Sequence, residues 1–115
     1  MAKEDYLVVL WTRGEKDFAE NMVFLYTLNA RRKGWWKKVT MIVWGPSAKL
    51  LAEDEELQAQ VRALQAEGVY LQACIRCTDS YGPDVTETLR GLDIEVIKMG
   101  EPLTQYLKEA TVLSL

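Results

Sequence analysis

The chain has 115 residues, the length of one domain, and we expect residues 1–115 to fold around a core that needs no disulfide or metal. Hydrophobic residues make up 49% and charged residues 27%, a balance that excludes a disordered chain. The net charge of −3 excludes a basic field over the whole surface, and the absence of histidine excludes Ser-His and Cys-His catalysis and histidine-ligated zinc.

The amino-terminal third predicts a buried strand followed by a helix. The apolar run Tyr6–Trp11 is rich in β-branched and aromatic residues, as in strands covered on both faces of a parallel sheet. A helix is predicted from about Phe18 to Lys33, because Asp17 and Glu20 have the spacing of a capping box and Gly34 follows a basic last turn.

The middle of the chain repeats the same order. A second buried strand is predicted over Val39–Trp44, and the segment Gly45-Pro46-Ser47 ends it and starts a short helix. A longer helix opens with the acidic run Glu53–Glu56, which suits the positive end of the helix dipole, and precedes a third strand over Val69–Cys74.

The last third predicts two more strands. One or two helical turns are predicted over Ile75–Tyr81, followed by a helix in which Asp84 and Glu87 form a capping-box pattern. A strand is predicted over Ile94–Met99. A last helix starts at 100–102, with Leu103, Tyr106 and Leu107 facing inward, and a strand over Thr111–Leu115 follows it. Alternation of strands and helices with short connections predicts an α/β fold with a parallel sheet and helices on both faces.

Open parallel sheets bind ligands outside the carboxyl ends of their strands. Both cysteines, Cys74 and Cys77, fall at one of these ends. The residues predicted there to bind a substrate or an anion are Thr12, Arg13, Gly45, Ser47, Arg76 and Gly100.

Cys74 is the last residue of a predicted strand that leads into a helix. The start of a helix favours a thiolate, and Arg13 or Arg76 could add to this effect. A thiolate is the form that nucleophilic or sulfur-carrying chemistry requires. The alternative is that Cys74 packs as a small buried side chain. Cys77 is either a resolving thiol for Cys74 or a packing residue under the short helix.

The Cys-x-x-Cys spacing is also found in metal and redox sites. Zinc and iron–sulfur clusters require more ligands than this chain offers, since it has no second cysteine pair and no histidine. Thioredoxin-like dithiol exchange fits the spacing, but Ile75-Arg76 and the five-stranded parallel pattern do not resemble that family. We therefore expect no metal and no cofactor.

A basic and aromatic cluster spans Arg31–Lys38 and contains Trp35 and Trp36. Such clusters can bind RNA, single strands or an anionic membrane surface. Because the whole chain is acidic, we favour a helix end with charges matched to the dipole and two packing tryptophans. No nucleic acid is expected as a direct partner.

Targeting signals are absent from the sequence. The amino-terminal apolar run is too short and its flank too acidic for a signal peptide, and no run approaches the roughly 20 apolar residues of a membrane helix. We expect a cytoplasmic protein without membrane contact.

Several segments in a fixed order resemble the DsrE/DsrF-like family of small sulfur-relay proteins, which includes the DsrE, DsrF and TusD subunits. The matching segments are Val43–Leu51, Gly68-Val69, Ala73-Cys74, Gly91–Val96 and Met99–Thr104. They cover most of the chain from the second strand onward. The resemblance departs around Ile75–Asp79, where the alanine-rich surroundings of the TusD cysteine are not reproduced.

The resemblance implies a three-layer α/β/α sandwich on a five-stranded parallel sheet, with no organic cofactor or metal. It implies a homo-oligomer, trimer or hexamer, or an assembly with related subunits. It also places Cys74 at the position where active members carry sulfane sulfur as a persulfide between donor and acceptor proteins, in tRNA thiolation or dissimilatory sulfur metabolism.

Three hypotheses follow for the function. The leading one is a persulfide carrier or sulfurtransferase component that accepts sulfur on Cys74, with Cys77 as the thiol that releases it. The second is a non-catalytic scaffold subunit of the same fold, in which Cys74 is a packing residue. The third is dithiol redox exchange between Cys74 and Cys77.

Overall fold

The computed structural model describes residues 1–115 and confirms the α/β fold with a five-stranded parallel sheet. The sheet order is β4-β3-β2-β1-β5, and every neighbouring pair is parallel. The strands are β1 (Tyr6–Trp11), β2 (Lys38–Val43), β3 (Tyr70–Cys74), β4 (Glu95–Ile97) and β5 (Thr111–Ser114).

The helices fill the connections between these strands. A 3-10 turn over Lys3–Asp5 precedes β1, and a π-helical segment over Ala19–Phe24 joins the first two helices into one continuous stretch. The helices are α1 (Lys16–Phe18), α2 (Leu25–Arg32), α3 (Pro46–Glu53), α4 (Glu55–Ala66), α5 (Ile75–Tyr81), α6 (Pro83–Gly91) and α7 (Gly100–Glu109). None of them is long and apolar enough to cross a membrane.

The sheet order decides how the two faces are covered. From β1 to β4 the chain steps along the sheet in one direction, and its right-handed crossovers place their helices on one face. The larger core lies there, between the sheet and α1–α4 and α6. The last crossover returns to the far side of β1, so α7 alone lies on the second face, over a smaller cluster of Val8, Ile42, Cys74, Met99 and Ala110.

Neither predicted capping box forms. The first helical stretch begins at Lys16, and Asp17 accepts a hydrogen bond from the Asn21 amide at 2.8 Å instead of capping the helix. Glu20 lies in the π-helical turn, where its carboxylate accepts from Gln60 of α4 at 2.8 Å. Tertiary packing between two helices has therefore replaced a local cap.

The second capping box fails for a different reason. Gly82 precedes α6 with a φ of 130°, and Pro83 takes the first helical position, so Asp84 is already inside the helix. By contrast, the prediction that acidic residues start α4 is confirmed. The Asp54 carboxylate caps this helix and accepts a hydrogen bond from the Leu57 amide at 3.0 Å.

The predicted inward face of α7 is only partly correct. Leu103 and Tyr106 are half-buried on the second face, but Leu107 is 56% exposed. A single short helix that packs on a sheet buries only a narrow stripe of its own side chains, and Leu107 lies outside that stripe. Strand β4 is also shorter than predicted, since Ile97 is its last residue and Met99 lies beyond it.

Candidate functional site

Two cysteine side chains meet at the carboxyl end of β3. Cys74 is the last residue of this strand and the N-cap of α5, and Cys77 lies one turn into that helix. Residues three apart on a helix lie on the same side. Both cysteines are free thiols, and Cys77 packs against the apolar cluster that contains Cys74.

The two thiols differ in their access to solvent. Cys74 is 6% exposed and packs with Val8, Ile42, Met99 and Ala110 beneath α7. Cys77 is half-buried at the edge of the same cluster. A reagent from solvent therefore meets Cys77 more readily than Cys74.

A backbone amide lies close to this cysteine pair. The Gly45 N–H, just after β2, interacts with the Cys77 thiol and lowers its pKa. Gly45 has φ 74° and ψ −135°, a conformation that a side chain would strain. The sequence predicted Gly45 as an anion-binding residue, and the structure places its amide against a sulfur atom.

Ser47 fixes the turn that presents this amide. Its hydroxyl donates to the Trp11 carbonyl at 2.7 Å and accepts from the Trp44 amide at 3.1 Å, which joins the ends of β1 and β2. Ser47 is fully buried. The structure thus places this predicted anion ligand inside the protein, with its hydroxyl proton donated to a carbonyl.

The loop after β1 packs closely on the same turn. A Cβ on Gly14 would lie 3.1 Å from the Pro46 Cβ, closer than ordinary van der Waals contact, so a larger residue would push the loop and the turn apart by a few tenths of an ångström. The Thr12 carbonyl accepts from the Ser47 amide at 3.2 Å. Thr12 therefore supports the turn through its backbone.

The pKa of Cys77 is raised above its ordinary value. Burial is the largest cause, and the interaction with the neighbouring Cys74 side chain adds to it. The Gly45 amide lowers the pKa but does not outweigh the other two effects.

The two predicted arginines do not act on the Cys77 thiol. Arg13 pairs with Glu15 at 2.9 Å and lies 4.2 Å over the Phe18 ring, at the end of β1. Arg76 is exposed on α5 without an ion pair. Neither guanidinium is among the groups that shift the pKa of Cys77.

The remaining predicted ligands lie on other strand ends. Thr12 and Arg13 line a cavity of about 390 Å³ with Phe18, Ser114 and Leu115, between the carboxyl ends of β1 and β5. Gly100 is the first residue of α7, and its carbonyl accepts from the Thr104 hydroxyl at 2.8 Å. Among the predicted ligands, Gly45 is the one whose group acts on the pKa of Cys77.

A chain of polar side chains that the sequence analysis did not predict runs beside the cysteines. The Tyr106 hydroxyl donates to the Gln72 amide oxygen at 2.6 Å, and the Gln72 amide nitrogen donates to Glu95 at 2.6 Å. Gln72 precedes Cys74 by two residues, so both side chains lie on the second face. The chain anchors α7 to β3 and β4 next to Cys74. The alternation along β3 was the available signal, since it puts a glutamine on a covered face.

The pKa values follow these contacts. Burial raises the pKa of Tyr106, and it raises that of Tyr70 to about 12, whereas the Gln72 amide lowers the pKa of Glu95. At neutral pH the two phenols are protonated donors and Glu95 is an ionised acceptor.

The basic and aromatic cluster lies at the amino end of β2, because Lys38 is the first residue of that strand and Gly45 follows its carboxyl end. The Trp36 indole donates to the Tyr26 hydroxyl at 3.2 Å, and Trp35 is 53% exposed. Arg32 pairs with Glu67 at 3.0 Å. The cluster is therefore separate from the cysteine pair.

Comparison with solved structures finds a similar protein that matches over the full chain. It is a conserved protein of unknown function from Bacteroides thetaiotaomicron, BT1422. The identity is 39%, the match covers 100% of this chain and 98% of the other, and the TM-score is 0.94. The chain belongs to the BT1422 family. No protein-family model matches the chain, and no curated protein matches it either.

Another solved structure is similar in fold. The ychN protein from E. coli matches with a TM-score of 0.68 and 16% identity over 100% of both chains. At this identity the match supports the DsrE-like fold that the sequence resemblance predicts. The function of this member of the BT1422 family has to be argued from its own residues.

Proposed function

We propose that the protein is a sulfur-relay component that carries sulfane sulfur as a persulfide on Cys74. The observation that carries this proposal is the cysteine pair at the carboxyl end of β3, where Cys74 is the N-cap of α5 and Cys77 lies one turn further on the same side. The DsrE-like fold and the position of Cys74 in the sequence resemblance support the same chemistry.

The carrier reaction requires no cofactor. A Cys74 thiolate attacks the outer sulfur of a donor R–S–S⁻, the donor S–S bond breaks, and R–S⁻ leaves with the bonding electron pair. The product is the Cys74 persulfide. An acceptor thiolate then attacks the outer sulfur of the persulfide and regenerates the Cys74 thiolate, so sulfur moves without net oxidation or reduction.

The geometry suggests which donors suit the site. Cys74 is 6% exposed, so its sulfur is recessed beneath the surface. A recessed nucleophile favours a slim donor, such as an inorganic polysulfide or the terminal persulfide of a donor protein. We take the acceptor to be a cysteine of a partner protein or of a related subunit.

Intact mass spectrometry tests the proposal. The native protein is treated with inorganic polysulfide, desalted and weighed beside Cys74→Ser and Cys77→Ser. We expect Cys77→Ser to gain one sulfur, about 32 Da, and Cys74→Ser to gain none, because only a thiolate at position 74 forms the persulfide. Equal loading of Cys74→Ser and Cys77→Ser contradicts the assignment of Cys74 as the carrier.

The burial of Cys74 favours a second candidate, a non-catalytic subunit of the same fold. In that case Cys74 contributes only to the cluster with Ile42 and Met99. Thiol labelling separates the two candidates. A Cys74 that stays unlabelled in the native protein, fails to load sulfur and reacts only after unfolding supports the scaffold role.

A further inference from the structure

We propose that Cys77 resolves the Cys74 persulfide within the same chain, which releases the carried sulfur as sulfide and leaves a Cys74–Cys77 disulfide. This inference rests on the proposed persulfide chemistry and assigns it a product. The protein then has two outlets for its sulfur: transfer to an acceptor cysteine, or reductive release as sulfide.

The contact between the two cysteines carries the argument. The inner sulfur of a Cys74 persulfide is the Cys74 Sγ itself, and Cys77 packs against the same cluster from the first turn of α5. Residues three apart on a helix have Cβ atoms about 5–6 Å apart, and a disulfide requires about 3.5–4.5 Å, so a small backbone adjustment in the first turn of α5 brings the two sulfurs into bonding distance. The attacking atom therefore lies within one helical turn of its target before the reaction begins.

Gly45 supplies the second element of the argument. Its amide lowers the pKa of the Cys77 thiol and so stabilises negative charge on the atom that must become the nucleophile. The buried Ser47 hydroxyl holds the turn in place through the Trp11 carbonyl. Gly45 is thus a positioning residue for Cys77.

The step balances in atoms and electrons. Cys77 loses its proton and attacks the Cys74 Sγ, the Cys74 S–S bond to the outer sulfur breaks, and the outer sulfur leaves as HS⁻ with the bonding pair. The outer sulfane sulfur is reduced to sulfide, and the two cysteine sulfurs are oxidised to the disulfide. A dithiol reductant, of the thioredoxin or dithiothreitol class, then supplies two electrons and two protons to restore both thiols.

The chain contains no other thiol that could take this role. Cys74 and Cys77 are its only cysteines. Every resolving event within one chain must therefore pass through Cys77.

The experiment is a single turnover without reductant. Reduced native protein is loaded with inorganic polysulfide, desalted and incubated, and sulfide is assayed while the intact mass is followed after quenching with an alkylating agent. We expect about one sulfide per chain and a final mass about 2 Da below that of the reduced protein. Dithiothreitol should restore both thiols and allow a second turnover.

Cys77→Ser is the matched variant, because it keeps an acceptor of similar size for the Gly45 amide. We expect it to retain the added 32 Da and to release less than about a tenth of the sulfide. Cys77→Ala provides the same readout if the serine variant fails to fold. Thermal unfolding of each variant confirms that its fold is intact.

The outcomes separate the two proposals. A native protein that keeps the added 32 Da and releases no sulfide overturns the resolving role of Cys77 and leaves the carrier function standing. Failure of both native protein and Cys77→Ser to take up sulfur overturns the carrier function. Sulfide release that is as fast in Cys77→Ser as in the native protein also overturns the inference.

Discussion

Among single residues, Cys77 has the chemistry most dependent on pH. Burial and the interaction with the neighbouring Cys74 side chain raise its pKa, so Cys77 is mainly a thiol at neutral pH. Since only the thiolate attacks a sulfur atom, a raised pKa slows the resolving step near neutrality. A slow resolving step leaves time for an acceptor to take the sulfur first.

This state of Cys77 predicts the pH dependence of sulfide release. We expect the single-turnover rate to rise about tenfold per pH unit between about pH 7 and 8.5, because the thiolate fraction rises in that proportion below the pKa. Stopped-time sulfide assays at constant ionic strength measure this slope. A rate that is flat over the range contradicts a resolving thiol with a raised pKa.

Gly45 makes a second prediction. In Gly45→Ala the strain at φ 74° turns the amide away from the Cys77 sulfur, which removes the contact that lowers the pKa. We expect the pH profile of Cys77 alkylation, measured in a Cys74→Ser background, to move upward by about one unit.

Gly34→Ala is the matched control. Gly34 also has a positive φ, 67°, and a Cβ there meets no atom within 4 Å, as at Gly45. Gly34 lies within the basic and aromatic cluster, at the amino end of β2, whereas the cysteines lie at the carboxyl ends of the strands. We expect a similar loss of stability with an unchanged alkylation profile. An unchanged profile in Gly45→Ala would remove the amide from the mechanism.

Among the elements, the turn between β2 and α3 links the fold to the site. Its buried Ser47 hydroxyl joins the ends of β1 and β2 and thereby fixes the direction of the Gly45 amide. The turn thus couples the packing of the two central strands to the chemistry at Cys77.

Ser47→Ala tests this coupling. We expect a loss of about 1–2 kcal/mol in the free energy of unfolding, because the hydrogen bonds of the hydroxyl to the Trp11 and Trp44 backbone disappear while Trp11 and Trp44 keep their own backbone bond. Chemical denaturation measures it. Thr104→Ala removes an exposed hydroxyl bond to Gly100 and should change stability by less than about 0.5 kcal/mol. Equal losses in the two variants contradict a structural role for the buried hydroxyl.

In the whole molecule, the two faces of the sheet are unequally covered. Five helices lie on or beside the first face, whereas α7 alone lies on the second. Apolar and aromatic side chains of the second face, including Tyr6, Leu10, Trp44 and Ile97, remain half-buried. A face covered by a single helix suits contact with further subunits.

We therefore expect the oligomer that the sequence resemblance implies. Native mass spectrometry and light scattering at about 10 µM protein should give a trimer or a hexamer, or a mixture that depends on concentration. A monomer under both methods contradicts this expectation and favours assembly with a different subunit.

The sequence by itself determined the elements and their order. Tyr6–Trp11 forms β1 over the same residues as predicted, and Cys74 ends β3 as predicted. These predictions succeed because continuous apolar runs and strand–helix alternation are local patterns that reflect burial on both faces of a parallel sheet. The sequence also predicted that both cysteines lie at the carboxyl ends of the strands, where open parallel sheets bind ligands.

Only the tertiary structure decided which groups meet. Gly45 and Cys77 come together because β2 and β3 are neighbours, and Gln72 meets Tyr106 because α7 crosses to the second face. Glu20 binds Gln60 of another helix instead of capping its own. Hydrogen bonds between distant segments depend on how whole helices and strands pack against each other. The local periodicity of apolar residues does not predict that packing.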